Sequence, residues 1–252
     1  MTAAVAHRIL TRVVHSPRWA RTNHAGDPVT LLEGPAYVAG SGLGALLAGP
    51  SGVVASLGSG AFGALDDLVG DGSSKGLRGH LGAAARGEVT TGFVKVLGLG
   101  ATGLLAVALA DRCRPDVGPL DVLVGGGVVA GSANLANLLD LRPGRALKVV
   151  VAASVPLLGS PGGRAAGAAA GAALGVLGPD LAGRAMLGDT GANAAGALVG
   201  TALAESTGRR GRLVALAVLT ALTLASERVS FTRVIESTPG LREVDAWGRP
   251  AR

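Results

Sequence analysis

Apolar residues occupy most of this chain in eight stretches that are separated by short polar segments. The stretches lie near residues 35–50, 51–67, 89–110, 118–139, 146–158, 164–178, 190–205 and 212–227. A membrane-crossing helix needs about 20 predominantly apolar residues, so the shorter stretches reach that length only with neighbouring residues. The pattern predicts an all-α fold, a polytopic membrane helix bundle with about eight transmembrane helices.

The two ends of the chain are more polar than the middle. Val5, Ile9 and Val13 recur at helical spacing between arginines, which is typical of an amphipathic helix lying on a membrane surface. We therefore expect one membrane domain over residues 1–252. It would consist of an interfacial amphipathic helix, a transmembrane bundle and a cytoplasmic tail, at residues 1–22, 23–228 and 229–252.

Composition supports a membrane protein and limits the classes of partner. Only 16% of the 252 residues are charged, whereas soluble domains carry roughly 25%. The formal net charge is +6, but the basic residues lie between apolar stretches, which favours a membrane surface over nucleic acid. The lone Cys113 leaves no disulfide framework and no cysteine-based metal site.

The distribution of basic residues predicts the orientation. If eight helices cross the membrane, the segments 66–88, 140–148, 179–189 and the chain after 228 share one side with the N-terminus. Those segments hold most of the arginines and lysines. By the positive-inside rule, that side is cytoplasmic, and the expected location is a cell membrane with the site facing the cytoplasm.

The second apolar stretch ends in groups that suit phosphate chemistry. Asp66 and Asp67 are followed by Asp71 and by Lys75, in a segment rich in glycine and serine. Carboxylates bind Mg²⁺, while a lysine and exposed backbone N–H groups bind phosphate oxygens. The alternative is a solvated helix end whose charges simply reach water.

Further polar residues fall on the same predicted side. Asn134, Asn137 and Asp140 are spaced by three, which makes successive members neighbours on a helix. At the start of the seventh stretch, Asp189 or Thr190 would cap a helix. Lys95 lies about two turns inside the third stretch. Each has an ordinary structural explanation, such as an interhelical hydrogen bond or a cap. Their gathering at one face favours a functional site.

In order and spacing these motifs resemble those of the polyprenyl-phosphate N-acetylhexosamine-1-phosphate transferases of glycosyltransferase family 4. That family includes phospho-N-acetylmuramoyl-pentapeptide transferase, and this chain resembles a divergent member. The resemblance runs from about residue 23 to 230. It is carried by Asp66-Asp67, Lys75-Gly76-Leu77, Asn134/Asn137/Asp140 and Leu187-Gly188-Asp189-Thr190-Gly191.

The resemblance implies an enzyme, a Mg²⁺-dependent phosphoglycosyl transferase. It would move a sugar-1-phosphate from a UDP-sugar to a polyprenyl phosphate, in the synthesis of cell-envelope polysaccharide or peptidoglycan precursors. The implied partners are the lipid phosphate, the UDP-sugar and the membrane, without nucleic acid. Assembly as a homodimer stays open.

The resemblance also implies roles for individual residues. Matched by position, the catalytic residues would be Asp66, Asp67 and Asp140, and the Mg²⁺ ligands Asp189 and Asp67. Substrate binding would fall to Lys75, Asn134 and Asn137. Outside the matched motifs, the sequence offers three further candidates for substrate binding: Lys95, Arg228 and Arg233.

Two departures from the family pattern keep alternatives open. The family's histidine-rich motif is missing from residues 226–236, where Arg228 and Arg233 would contact phosphate instead, and Leu141 replaces an expected glycine. One alternative is a degenerate relative that binds lipid phosphate or nucleotide without turnover, as a partner in envelope assembly. The other is a small transporter, which the absence of an inverted repeat in the sequence disfavours.

Overall fold

The fold is taken from a computed structural model that describes residues 2–23, 25–70, 82, 87–88 and 90–250. Within these residues the chain forms α-helices, two short 3₁₀ turns (Pro17–Trp19 and Val155–Leu157) and an antiparallel pair of strands, β1 (Ala20–Thr22) and β2 (Pro28–Thr30). The helices are α1 (Thr2–Val13), α2 (Glu33–Ala48), α3 (Pro50–Val69), α4 (Thr91–Asp111), α5 (Pro119–Leu139), α6 (Arg145–Ser154), α7 (Gly163–Leu181), α8 (Gly188–Ser206), α9 (Arg209–Ser226), α10 (Phe231–Ser237) and α11 (Leu241–Ala246).

Each of the eight predicted apolar stretches coincides with one helix, from α2 to α9, so the predicted helical fold is confirmed. Local signals set several helix ends. Thr90 caps α4, because its hydroxyl accepts a hydrogen bond from the Phe93 N–H at 3.1 Å. Gly49, with φ of +89°, turns the chain between α2 and α3, and Pro50 then starts α3.

In the part of the chain that the structure describes, fewer than the eight predicted membrane-crossing helices have the length and hydropathy of a membrane span. Among the described residues, α3, α4 and α5 are long and apolar enough to cross a membrane, and α9 with α10 forms a fourth candidate that is bent by 92°. Helices α2 and α6 have only 16 and 10 residues. Alanine and glycine, rather than large apolar side chains, dominate α7 and α8.

Helix α8 lies at the centre of the bundle and packs against α2, α3, α4, α5, α6 and α7. Close approach depends on glycine. A Cβ atom at Gly63 of α3 would lie 2.2 Å from the Asp189 carbonyl oxygen, and one at Gly196 of α8 would lie 2.2 Å from the Ser132 carbonyl oxygen. Small residues let helix backbones meet in this way, and as a result α8 is held on all sides.

The two chain ends dock on this bundle. Helix α1 buries Ala3 against Gly40 and leaves Val5, Ile9 and Val13 exposed as one apolar stripe. The segment predicted as a polar tail instead contains α10 and α11. It is tied to the start of α6 by a buried ion pair between Asp245 and Arg145, with hydrogen bonds of 2.7 and 2.9 Å.

Candidate functional site

Three predicted site residues meet where α3 ends and where α4 and α8 begin. The Lys95 Nζ atom donates hydrogen bonds to Asp66 Oδ2, at 2.7 Å, and to Asp189 Oδ2. These side chains are 17 to 22% exposed, so they are mostly buried but still accessible to solvent. The structure thus brings together one cation and two carboxylates from three helices that are distant in sequence.

Asp67, the neighbour of Asp66, is bound to the start of α8. Its Oδ1 accepts a hydrogen bond from the Asp189 N–H at 3.1 Å, and its Oδ2 accepts from the N–H and hydroxyl of Thr190 at 2.8 and 2.6 Å. The first N–H groups of a helix have no partner within the helix, and a negative charge is favourable there. Asp67 is therefore the cap of α8. The sequence-based expectation that Asp189 or Thr190 would cap this helix is wrong.

Glycines allow the start of α8 to sit between α2 and α3. A Cβ atom at Gly34 would lie 2.3 Å from the Leu187 carbonyl oxygen, and Gly63 meets Asp189 in the same way. Gly188 has a φ of +59°, which favours glycine. Of these positions, only Gly188 belonged to a motif recognised in the sequence, the one at residues 187–191, and the close contacts of Gly34 and Gly63 were not predicted.

Asp140 follows the last residue of α5 and is buried beside the same helix start. It accepts a hydrogen bond from the Gly188 backbone N–H. Burial raises the pKa of Asp140 well above its usual range, and the carboxylates of Asp180 and Asp189 raise it further, while the Gly188 bond lowers it. Asp140 therefore belongs to the acidic surroundings of Asp189.

Two buried carboxylates in this region were not predicted. Glu33, at the start of α2, and Asp180, near the end of α7, interact electrostatically with each other, and Glu33 also with Asp140. Neither residue belongs to a motif. Glu33 is a single acidic residue before an apolar stretch, and Asp180 follows another apolar stretch, where a polar residue at the end of a helix is common.

The remaining predicted residues have different surroundings. Asn134 donates a hydrogen bond of 3.1 Å to Thr223, which joins α5 to α9, and Asn137 lies one turn further along α5 and is half-buried. Arg228 and Arg233 are exposed near the turn from α9 to α10. Lys75 lies outside the described residues.

An apolar groove of about 250 Å³ leads to Lys95 between α4, α5 and α9. Its wall includes Leu99, Leu216 and Leu219, and polar groups line it only near Lys95, Asn134 and the threonines of α9. A charged end beside an apolar channel suits a ligand that has one ionic head and a hydrocarbon chain.

A metal ion would have to use few protein ligands. Within the described part of the chain, no three Asp, Glu, His or Cys side chains are close enough to enclose one. Mg²⁺ is commonly bound by one or two carboxylates together with substrate phosphates and water. Asp66 and Asp189 fit this pattern, because Lys95 already holds a positive charge between their oxygens.

Comparison with known proteins assigns no family. The sequence matches no protein-family model, and no curated protein gives a significant match. The resemblance to the phosphoglycosyl transferases therefore stays a prediction that rests on the motifs.

Proposed function

We propose that this protein transfers a sugar-1-phosphate from a UDP-sugar to a polyprenyl phosphate, with Mg²⁺ as cofactor. One observation carries the proposal. The cluster of Asp66, Lys95 and Asp189 lies at the end of an apolar groove, where a lipid phosphate would place its head. The ordered motifs of the sequence support the same chemistry.

The groove accounts for the acceptor lipid. Its four leucines, with Val96 and Ala130, would bury a polyprenyl chain, whose removal from water is favourable in proportion to apolar area. The Lys95 ammonium at the groove's end would bind the phosphate head. Because Lys95 is already shared by two carboxylates, the phosphate would add negative charge to the cluster, and Mg²⁺ would be needed to balance it.

Each residue of the cluster would have a separate role in the transfer. A lipid phosphate oxygen attacks the sugar-side phosphorus of the UDP-sugar, and the bond from that phosphorus to UMP breaks. Asp66 would orient the attacking phosphate, and Lys95 would stabilise the charge on the diphosphate. Mg²⁺ held by Asp189 would supply further charge neutralisation. Asp67 would act by fixing the helix that carries Asp189.

We also propose that α2 to α9 cross a cell membrane, with the site at the cytoplasmic face. The positive-inside distribution supports this orientation, and exposed leucines on α2 and α9, such as Leu46, Leu47 and Leu213, suit contact with lipid. Helix α6 spans about 15 Å, so it would cross together with the following 3₁₀ turn in a locally thinned bilayer.

The decisive experiment measures UMP release by the purified full chain. Polyprenyl phosphate is supplied with UDP-GlcNAc or UDP-MurNAc-pentapeptide, with Mg²⁺ or with EDTA. We expect release only with Mg²⁺, and a loss of about 10²–10³-fold in Asp189→Asn. Asp116→Asn, in the exposed loop between α4 and α5, is the matched control and should keep full activity.

A binding protein without turnover is the second candidate. The missing histidine motif favours it, and so does the internal pairing of Lys95 with Asp66 and Asp189, which satisfies these charges without a substrate. Lipid phosphate or UDP-sugar that binds, with no UMP released from any donor tested, would establish this alternative in place of the enzyme.

A further inference from the structure

A small polar cavity lies beneath the loop that joins α7 to α8. Its volume is about 20 Å³, and its wall includes the carboxyl groups of Asp140 and Asp180, Asn23 and residues of the 183–186 loop. A cavity of about 10–15 Å³ already holds one water molecule. This cavity therefore accommodates a single small ion or water.

Asp140 accepts a hydrogen bond from the Gly188 N–H and Asp180 one from the Gly144 N–H, but other carboxylate oxygens in this region have no partner among the described residues. Asp180 is 2% exposed, and its Oδ2 atom has no hydrogen-bond partner among the described residues. Glu33 is 0% exposed, and neither of its carboxylate oxygens has a partner there. A buried charge without a counter-charge is costly, so these groups require either protons or a cation.

The basic side chains at and near the cavity are bound to other groups. Arg142, which lines the cavity, donates hydrogen bonds to Glu236 at 3.0 Å and to the Leu141 carbonyl oxygen at 3.2 Å. Lys148 Nζ donates to the carbonyl oxygens of Val244, at 3.0 Å, and of Trp247, at 3.1 Å. Arg249 Nε donates to the Pro143 carbonyl oxygen at 2.8 Å, and its Nη2 lies 3.0 Å from an oxygen of Asp245. Lys148 and Arg249 act on Asp180 only at longer range.

We propose that a divalent cation of the size of Mg²⁺ binds in this cavity between Asp140 and Asp180. One or two carboxylates are the protein ligands that Mg²⁺ commonly uses, and the small volume favours Mg²⁺ over the larger Ca²⁺. Glu33 does not line the cavity, but its carboxylate interacts electrostatically with Asp140 and Asp180 and would add to the negative charge at the site. The site differs from the one proposed at Asp189, and it stands whether or not the protein transfers sugar phosphate.

The bound ion would have a structural role. Asp140 ends α5, Asp180 lies near the end of α7, and the hydrogen bond from Gly188 to Asp140 reaches the start of α8. A cation shared by Asp140 and Asp180 would join these three helix ends. It would thereby fix the segment that positions Asp189.

The experiment counts bound Mn²⁺, an EPR-visible substitute for Mg²⁺, on the full chain in nanodiscs without nucleotide or lipid phosphate. We expect Asp180→Asn to bind one Mn²⁺ fewer per chain than the wild type, whereas Asp189→Asn and the control Asp116→Asn keep this ion. Glu33→Gln should keep the ion with an affinity lowered about tenfold, since an outer group is altered.

Thermal unfolding provides a second measurement in case Asp180→Asn folds poorly. Mg²⁺ should raise the Tm of the wild type and of Asp189→Asn, and should raise it less in Glu33→Gln at the same concentration. Equal Mn²⁺ counts in Asp180→Asn and the wild type would overturn the proposal. So would a wild type whose Tm does not respond to Mg²⁺, because protons would then neutralise these carboxylates.

Discussion

The two ends of the helix bundle both bury charged side chains, but they balance them differently. At the end formed by the C-terminus of α4 and the N-terminus of α9, Arg212 is 1% exposed and donates to Asp111 at 2.5 and 2.8 Å. It also donates to the Ala204 carbonyl oxygen, and Arg209 makes two bonds of 2.7 Å to Asp121. Asp111 and Asp121 thus each have a guanidinium opposite them.

At the opposite end, the buried carboxylates around Asp189 are not each matched by a cation from the described residues. Lys95 serves both Asp66 and Asp189, while Glu33 and Asp180 keep oxygens without a hydrogen bond in the described part of the chain. A cavity and an apolar groove open beside these residues. The comparison shows that a buried charge alone does not indicate a ligand site. We expect a ligand site where a buried charge lacks a counter-charge and lies beside accessible space.

The largest effect is expected at the balanced end. Arg212→Met leaves Asp111 as a buried carboxylate with only the half-exposed Arg114 nearby, so the free energy of unfolding should fall by about 3–5 kcal/mol. Denaturant titration in detergent micelles measures it. The double variant Arg212→Met/Asp111→Leu should recover part of the loss, because it removes the orphaned charge. A single variant as stable as the wild type would contradict this account.

A smaller effect is expected from the cap on α8. Asp67→Ala removes all three hydrogen bonds to Asp189 and Thr190, which should cost about 0.5–2 kcal/mol of stability. Asp67→Asn keeps one acceptor oxygen and should lose less. If Asp67 acts by positioning, UMP release should fall in the same order as stability. Full activity in Asp67→Ala would show that Asp67 has no role in the transfer reaction.

Acid pH should release the C-terminal segment before it disturbs the bundle. Burial would raise the pKa of Asp245, but the ion pair with Arg145, assisted by Arg249, holds the pKa below its usual range. A lowered pKa means that this contribution to stability is complete above about pH 4 and is lost as pH falls through the lowered value. Proteolytic cleavage between α10 and α11 should therefore accelerate only at acid pH. Asp245→Asn should be cleaved readily at neutral pH.

The last prediction concerns the side of the membrane that each loop faces, and it does not involve stability. Cys113 is the only cysteine, is exposed, and lies at the Arg212 end. A membrane-impermeant maleimide should therefore label it from outside the cell and not from the cytoplasm. In a Cys113→Ser background, Leu141→Cys at the opposite end should show the reverse. Labelling of both positions from one side would overturn the proposed topology.

The sequence was sufficient where local pattern controls structure. The apolar stretches predicted α2 to α9 because helices satisfy their own backbone hydrogen bonds. It was less reliable at the C-terminus, where α10 and α11 have only seven and six residues, too few for a clear periodic pattern, and are held by Arg145 and Lys148. Likewise, the motifs pointed to Asp66 and Asp189, and Lys95 stood out as a lysine inside an apolar stretch, but nothing in the pattern identified Glu33 or Asp180.

By itself, the sequence determined the helices, the excess of apolar surface and which acidic residues stand at helix ends. Only the tertiary structure decided which of these charges meet: Lys95 with Asp66 and Asp189, Asp67 with the start of α8, and Arg212 with Asp111. The physical reason is that compensation of charge depends on distance and burial. These are set by glycine-mediated contacts between helices far apart in the chain.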